Sequence, residues 1–330
     1  MKSEAQNSPQ HGASTGMLMG MAAILAWATS ASCAVWIGRQ VGVWQYLAVS
    51  SLIGCIGQVA FYWIMGRRPQ SLFVLPPRLW AMVTLGFVVY SACYATGMIT
   101  AVSDAQAVGV GLLNHMWPIL MVIFAVLLVP GTRISARLGL ALVLTISGLL
   151  IANWHTILQT SASGAALPYL FGSLAGVAWG LYSAILARWR EWGQHHATGP
   201  AGFMMIGAVG VAGCIITGAW QPVDARTWLA FIYLGLIPNA AGYMLWELAL
   251  HRVPAATLGL MGSATPVLST LCLLTVFALT GQLRALPAHW EALLLGATLV
   301  TASIMMVSIK SAGRTQRLSD ATSKLYNSAK

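Results

Sequence analysis

Apolar residues run together along this chain in ten stretches of about twenty, at positions 17–38, 44–65, 79–99, 106–128, 136–154, 168–188, 202–220, 227–250, 255–277 and 289–308. Short polar links part them. A helix rises about 1.5 Å per residue, so about twenty residues match a hydrocarbon core roughly 30 Å thick. A lone segment in lipid must satisfy its own backbone, which leaves the helix as its only form. A barrel would show segments of about ten residues with alternating polarity, and none is present. The pattern predicts an all-α polytopic membrane protein with ten transmembrane helices. Around them lie a cytoplasmic N-terminal arm (1–16), a linker (155–167) and a basic cytoplasmic tail (310–330). The first stretch reads as a retained span. It is too long for a signal-peptide core, follows little positive charge and lacks a convincing cleavage site.

Composition closes off other classes. Hydrophobic residues make up 58% of the chain and charged residues 7%, against about 25% charged in soluble domains. No large soluble domain fits. The net charge of +10 could suggest nucleic acid, but its placement argues for topology. With the N-terminus inside, the cytoplasmic links and tails hold fourteen of the seventeen lysines and arginines, and only Arg39, Arg226 and Arg284 fall on the other side. That bias puts both termini in the cytoplasm and requires an even number of spans. Cys33, Cys55, Cys93, Cys214 and Cys272 are scattered, with no CxxC spacing. They read as small buried thiols, with neither disulfides nor a metal site expected.

The chain also resembles itself. Leu85, Gly86 and Tyr94 recur as Leu234, Gly235 and Tyr243, a shift of 149; Gly111 and Pro118 recur as Gly259 and Pro266, a shift of 148; Ala26-Trp27 recurs as Ala178-Trp179, a shift of 152. This pairs a first five-helix repeat (17–154) with a second (168–309). Five is odd, so the second copy enters the membrane upside down. Such 5+5 inverted repeats underlie alternating access around a midplane site in many secondary transporters. Gly172, Gly176 and Gly180 form a ridge at i, i+4 and i+8, and Gly207, Gly210 and Gly213 form another; both read as packing features that let helices approach closely.

The candidate chemistry is aromatic and mostly uncharged. Tyr90 and Tyr94 share one helix face. Asn114, His115 and Trp117 precede Pro118, which removes a backbone bond in mid-span; Pro266 is the matching helix-break. Trp27 and Trp179 lie mid-span, away from the interfaces where tryptophan usually anchors. Asn239, Tyr243, Trp246 and Glu247 follow one face of the eighth span. Each aromatic alone could be packing or an interface belt, but together they describe an apolar slot with a few hydrogen-bonding groups, suited to a flat solute. No lysine or arginine lies deep in a span, which phosphate recognition would require. Glu247 either pairs locally with His251 or Arg252 or carries a coupling proton. His115 is expected to serve as a neutral hydrogen-bonding member of the pocket. Catalytic motifs and phosphate loops are absent, so no enzyme activity and no cofactor is expected; Asp104, Asp224 and Glu291 lie in or beside loops. A channel filter is absent too.

Two segments carry a family resemblance. Residues 109–118, GVGLLNHMWP, resemble a stretch reading roughly VGMVNYLWP, and residues 265–269, TPVLS, resemble a ninth-span segment. Both stretches are similar to those of the drug/metabolite transporter superfamily, EamA type, and within it to the YddG-type aromatic amino-acid exporters. The resemblance covers all ten spans. It implies export of aromatic amino acids and related metabolites across a bacterial inner membrane, from a central cavity. On matching positions it implies Tyr90, Tyr94, Asn114, Trp117 and Trp179 as pocket members; His115 stands where the family segment has tyrosine. Tyr243, Trp246 and Glu247 are added from spacing and polarity. The expected partners are a small-molecule substrate and the lipid bilayer, with no nucleic acid and no obligate protein partner. The alternatives are a broad-specificity drug or small-metabolite exporter and, more remotely, a multipass membrane enzyme or sensor.

Overall fold

A computed structural model describes residues 9–102, 106, 110, 111, 113–132, 134–160, 166–189, 196–268, 291, 292, 294–303, 305 and 306. Asp104, Gly109, Leu112, Ser269, Cys272, Arg284 and the tail from 310 lie outside the described residues. The described elements are helical, with no strand among them: α1 (Pro9–Ala28), α2 (Ser30–Ile64), α3 (Pro77–Ile99), α4 (Trp117–Leu128), α5 (Ala136–Thr160), α6 (Ala166–Arg188), α7 (Gly199–Thr217), α8 (Ala225–Leu250), α9 (Ala255–Leu268) and α10 (Leu294–Ser303). On length and hydropathy five are able to cross a bilayer: Trp36–Ile64 of α2, then α3, α6, α7 and α8.

Several stretches read as continuous are broken. Helix α2 runs through the link expected between the first two spans, turning at Gly42, whose φ of 78° only glycine adopts freely. A π segment, Thr84–Val89, interrupts α3, and a second, Gly235–Gly242, interrupts α8. Shifted by 149 residues, the first overlaps the start of the second. Turns at His115–Met116 and Ser263–Ala264 come just before Pro118 and Pro266. Pro118 sits in the first turn of α4, where its missing N–H costs nothing.

Close packing brings the broken segments against their neighbours. The ridge on α6 lies directly on the backbone around residues 110–121. A methyl at Gly172 would stand 2.7 Å from the Val110 carbonyl oxygen; at Gly176, 3.0 Å from that of Leu113; at Gly180, 3.0 Å from that of Trp117. Small residues here set the depth at which Asn114 and Trp117 sit.

The outer surface is apolar. Ile64 is 80% exposed, Ile216 84% and Leu127 71%, a surface that water would not tolerate at this extent and lipid does. Trp63, Trp36, Trp220 and Trp228 are exposed as well, as in an interfacial belt. Arg188 donates to the Leu128 carbonyl at one end of the bundle. Far from it, Gln45 and the Gln221 backbone bond reciprocally, at 2.7 Å each way. Near that second end Asp224 caps α8, accepting from the Thr227 N–H at 2.8 Å. These Thr227 bonds hold its carboxyl below the usual carboxylate range.

Gly172→Ala is expected to destabilise the protein by about 1–3 kcal/mol, because the added methyl meets backbone that cannot swing aside. Gly139→Ala, whose methyl would come no closer than 3.9 Å to Ile134, is expected to be neutral or stabilising in its helix. Thermal unfolding in detergent separates the two.

Candidate functional site

A membrane helix can be interrupted only where something else satisfies the freed backbone groups. At the π segment of α8, Trp27 Nε1 donates to the Pro238 carbonyl at 3.1 Å. Gln58 Nε2 from α2 donates to the Ala240 carbonyl at 3.1 Å and reaches that of Asn239 at 3.3 Å. Asn239 in turn donates from Nδ2 to the Ser50 carbonyl at 3.2 Å. The bulge is thereby locked to α1 and α2, with Pro238 and Asn239 turned toward the bundle interior.

Rings from five helices converge there. Trp27 stands edge-on to Trp179 at 5.6 Å, Trp117 at 6.3 Å and Tyr243 at 5.4 Å, and lies 5.3 Å from Trp246 at a tilt. Tyr90 and Tyr94 stack at 5.9 Å with 8° between their planes, and Tyr90 packs 5.1 Å from Trp179. Most contacts are edge-to-face, the geometry that the ring quadrupole favours.

These rings enclose a cavity of about 90 Å³, enough for roughly six to nine water-sized volumes. Its lining includes Tyr90, Tyr94, Asn114, His115, Trp117, Trp179 and Tyr243. Seven of the eight residues expected in a binding slot therefore share one cavity. Trp246 does not line it. That indole is fully buried behind Trp27 and Trp117 and donates to Ser183 Oγ at 3.3 Å. Among the described residues no lysine, arginine or carboxylate lines the cavity. Asn114 is 4% exposed, and its Oδ1 has no hydrogen-bond partner. The Tyr90 hydroxyl interacts with the side chains of Asn114 and Tyr243, and His115 Nδ1 bonds the Gly111 carbonyl oxygen at 2.6 Å. Pro118 and Pro266 lie just beyond their turns, and Pro266 has contacts of its own.

Glu247 departs from the expected local pair. Arg252 instead donates to the Leu248 carbonyl at 2.7 Å. The carboxylate accepts hydroxyls from three other parts of the bundle: Tyr182 at 3.1 Å, Tyr62 at 3.4 Å, and Thr198. It is buried, but outside the ring-lined cavity. The reason is positional, since one residue beyond Trp246 turns the side chain by about 100° around the helix.

Trp27, Tyr46, Phe203, Pro238 and Asn239 also line the cavity. Trp27 and Asn239 belong to the slot read from the sequence, as the repeat partner of Trp179 and on the face shared with Tyr243. Pro238 stands out as a mid-span proline. Tyr46 and Phe203 sit near the ends of their stretches, where an aromatic reads as an interface anchor. Among the described residues no group of three histidines, cysteines, aspartates or glutamates could hold a metal ion.

An all-helical bundle of long apolar helices, with a ring-lined internal cavity, defines the class as a multi-pass membrane protein. Residues 14–154 match the EamA-like transporter family, so the chain carries an EamA-type domain and is YddG-like. It is 29% identical over 275 residues to the aromatic amino acid exporter YddG of Ancylobacter novellus, covering 79% of this chain and 88% of that protein. A solved crystal structure, 24% identical, has the same fold, with a TM-score of 0.74 over 89% of this chain and 96% of that one.

Gln58→Leu removes the donor to the π segment and leaves buried carbonyls unpaired. A loss of about 1–3 kcal/mol is expected, read as an earlier thermal transition in detergent, with proteolysis of α8 becoming faster.

Proposed function

We propose that this chain is a secondary transporter that exports aromatic and other neutral hydrophobic amino acids across the bacterial inner membrane by alternating access. In this reading two inverted five-helix repeats (17–154 and 168–309) hold the cavity between them, with both termini in the cytoplasm. Tyr90, Tyr94, Asn114, His115, Trp117, Trp179 and Tyr243 contact substrate, and Trp246 backs the rings. The observation that carries the reading is the lining itself: indole and phenol faces, with no ionised side chain among the described residues, around the orphaned acceptor Asn114 Oδ1.

Each feature has a role in the chemistry. Ring faces bury a flat apolar side chain. Asn114 Oδ1 is left to accept an N–H, which an α-ammonium supplies, so that burial of the amide oxygen is offset only when substrate is present. The amino end of α4, starting at Trp117 beside the cavity, carries the positive end of a helix dipole and suits a carboxylate. A cavity of about 90 Å³ is well below the roughly 300–1,000 Å³ typical of ligand sites. An aromatic amino acid thus requires the rings to part, which rocking of the two halves would supply. The broken helices recurring near a shift of 148–149, and the match to an aromatic amino acid exporter, support the same conclusion.

Purified protein in liposomes is expected to move labelled phenylalanine, tyrosine or tryptophan, and Trp117→Ala and Trp179→Ala each to cut the rate at least about tenfold. Rates equal to those of empty vesicles would refute the substrate class. Equal competition by unrelated hydrophobic compounds would favour a broad-specificity exporter.

Asn114→Leu isolates the orphaned acceptor. The melting temperature is expected to fall only as far as loss of the Tyr90 contact, about 1 kcal/mol, requires, while phenylalanine transport falls at least about tenfold.

A further inference from the structure

Past the ring layer, at the end of the bundle that carries Arg67 and Arg252, lies a second cavity of about 420 Å³. That is within the range of small-molecule sites and larger than the ring-lined cavity. Its charges are of both signs. Among the described residues Glu247 is the one carboxylate on its wall, and Arg67 and Arg252 are its guanidinium groups. Met65, Ala197 and Leu248 supply apolar surface, and His196 and His251 also border it. Arg67 lies over the Tyr62 ring, 5.5 Å from its centre, and the hydroxyl of that ring bonds Glu247 Oε2. The basic and acidic groups thus stand on either side of one tyrosine.

We infer that this vestibule is a second binding station for a zwitterionic amino acid with an apolar side chain, its ammonium held by Glu247 and its carboxylate by Arg67 and Arg252. The inference rests on the transport reading above. The longest of the hydroxyl bonds to the carboxylate is the one a ligand would displace. Oε1 takes the hydroxyls of Tyr182 and Thr198, Oε2 takes that of Tyr62 across 3.4 Å, and the backbone at Thr198 and Gly199 also bonds the carboxylate. An ammonium on Oε2 forms a charge-assisted bond stronger than that long contact. Ligands with one charge meet a like charge in the same space: an acid faces Glu247 and an amine faces the two arginines. Only a ligand with both charges satisfies both walls.

The vestibule also communicates with the ring-lined cavity through a single side chain. Tyr182 stacks on Trp179 at 5.0 Å and donates to Glu247 Oε1 at 3.1 Å. Trp179 lines one cavity and Glu247 the other. An ammonium drawing on Glu247 therefore competes with the bond that holds Tyr182 against Trp179. The positive-inside bias puts this end in the cytoplasm, the side from which an exporter loads.

The test is competition against labelled L-phenylalanine on the purified full chain in nanodiscs, using phenethylamine, which lacks the carboxylate, and 3-phenylpropanoate, which lacks the ammonium. Wild-type protein is expected to prefer phenylalanine to both. Glu247→Gln erases about tenfold of the preference over 3-phenylpropanoate, and Arg67→Ala with Arg252→Ala erases about tenfold of that over phenethylamine. Trp179→Ala weakens all three ligands alike. Should Glu247→Gln fail to fold, the arginine pair at the mouth carries the test alone. Unchanged ratios in the charge variants, with Trp179→Ala still defective, overturn the vestibule and leave the transport reading standing. Wild-type protein that neither binds nor moves phenylalanine overturns both.

Discussion

Every peptide group in hydrocarbon needs a hydrogen-bond partner, and in this molecule that rule decides where the helices are able to break. The π segment of α8 exists because Trp27 and Gln58 supply the N–H groups that its backbone no longer provides. Tolerance of the break then opens the middle of the bundle. Pro238, Asn239 and Tyr243 turn toward the axis, and the indole that satisfies the Pro238 carbonyl is itself a wall of the cavity. One side chain both secures the interruption and lines the space that the interruption makes.

Close packing works to the same end. The α6 ridge lets the backbone around Asn114 approach to a distance that no larger residue would permit. Trp117 is thereby pressed against Trp27 and Trp179 in edge-on contacts. Rings packed this tightly resist small displacements and yield to large ones, because dense interiors have alternative packings rather than a continuum of shapes. A cavity smaller than its proposed solute is consistent with a closed arrangement that opens as a unit. At the Glu247 end the links are polar hydrogen bonds that join separate elements. This is where separation of the halves would cost least packing.

Much of the architecture was legible in the order of residues. Length and hydropathy marked helices, and a recurring Leu-Gly…Tyr and Gly…Pro marked the places where helices three, four, eight and nine are interrupted. Tyr90 and Tyr94 were readable from helical spacing, and Asn114 and Trp117 from their place before a mid-span proline and from the family resemblance. The breaks themselves were less legible, since a π segment depends on partners such as Gln58 that are remote in the chain. Glu247 illustrates the same limit. Its neighbours in sequence suggested an ion pair, but its partners come from α2, α6 and the turn before α7, and only tertiary packing brings those hydroxyls to it. Trp246 shows the precision that period alone allows: it points inward as expected, but one layer behind the cavity.

The central claim is that the ring-lined cavity of an EamA-type bundle receives an aromatic amino acid. Photolabelling the protein in nanodiscs with an azido derivative of phenylalanine, followed by peptide mapping, tests it most directly. The account predicts adducts on the segments holding Tyr90, Trp117 and Trp179, suppressed by excess unlabelled phenylalanine. Adducts confined to the lipid-facing surface, or labelling that excess phenylalanine leaves unchanged, would contradict it.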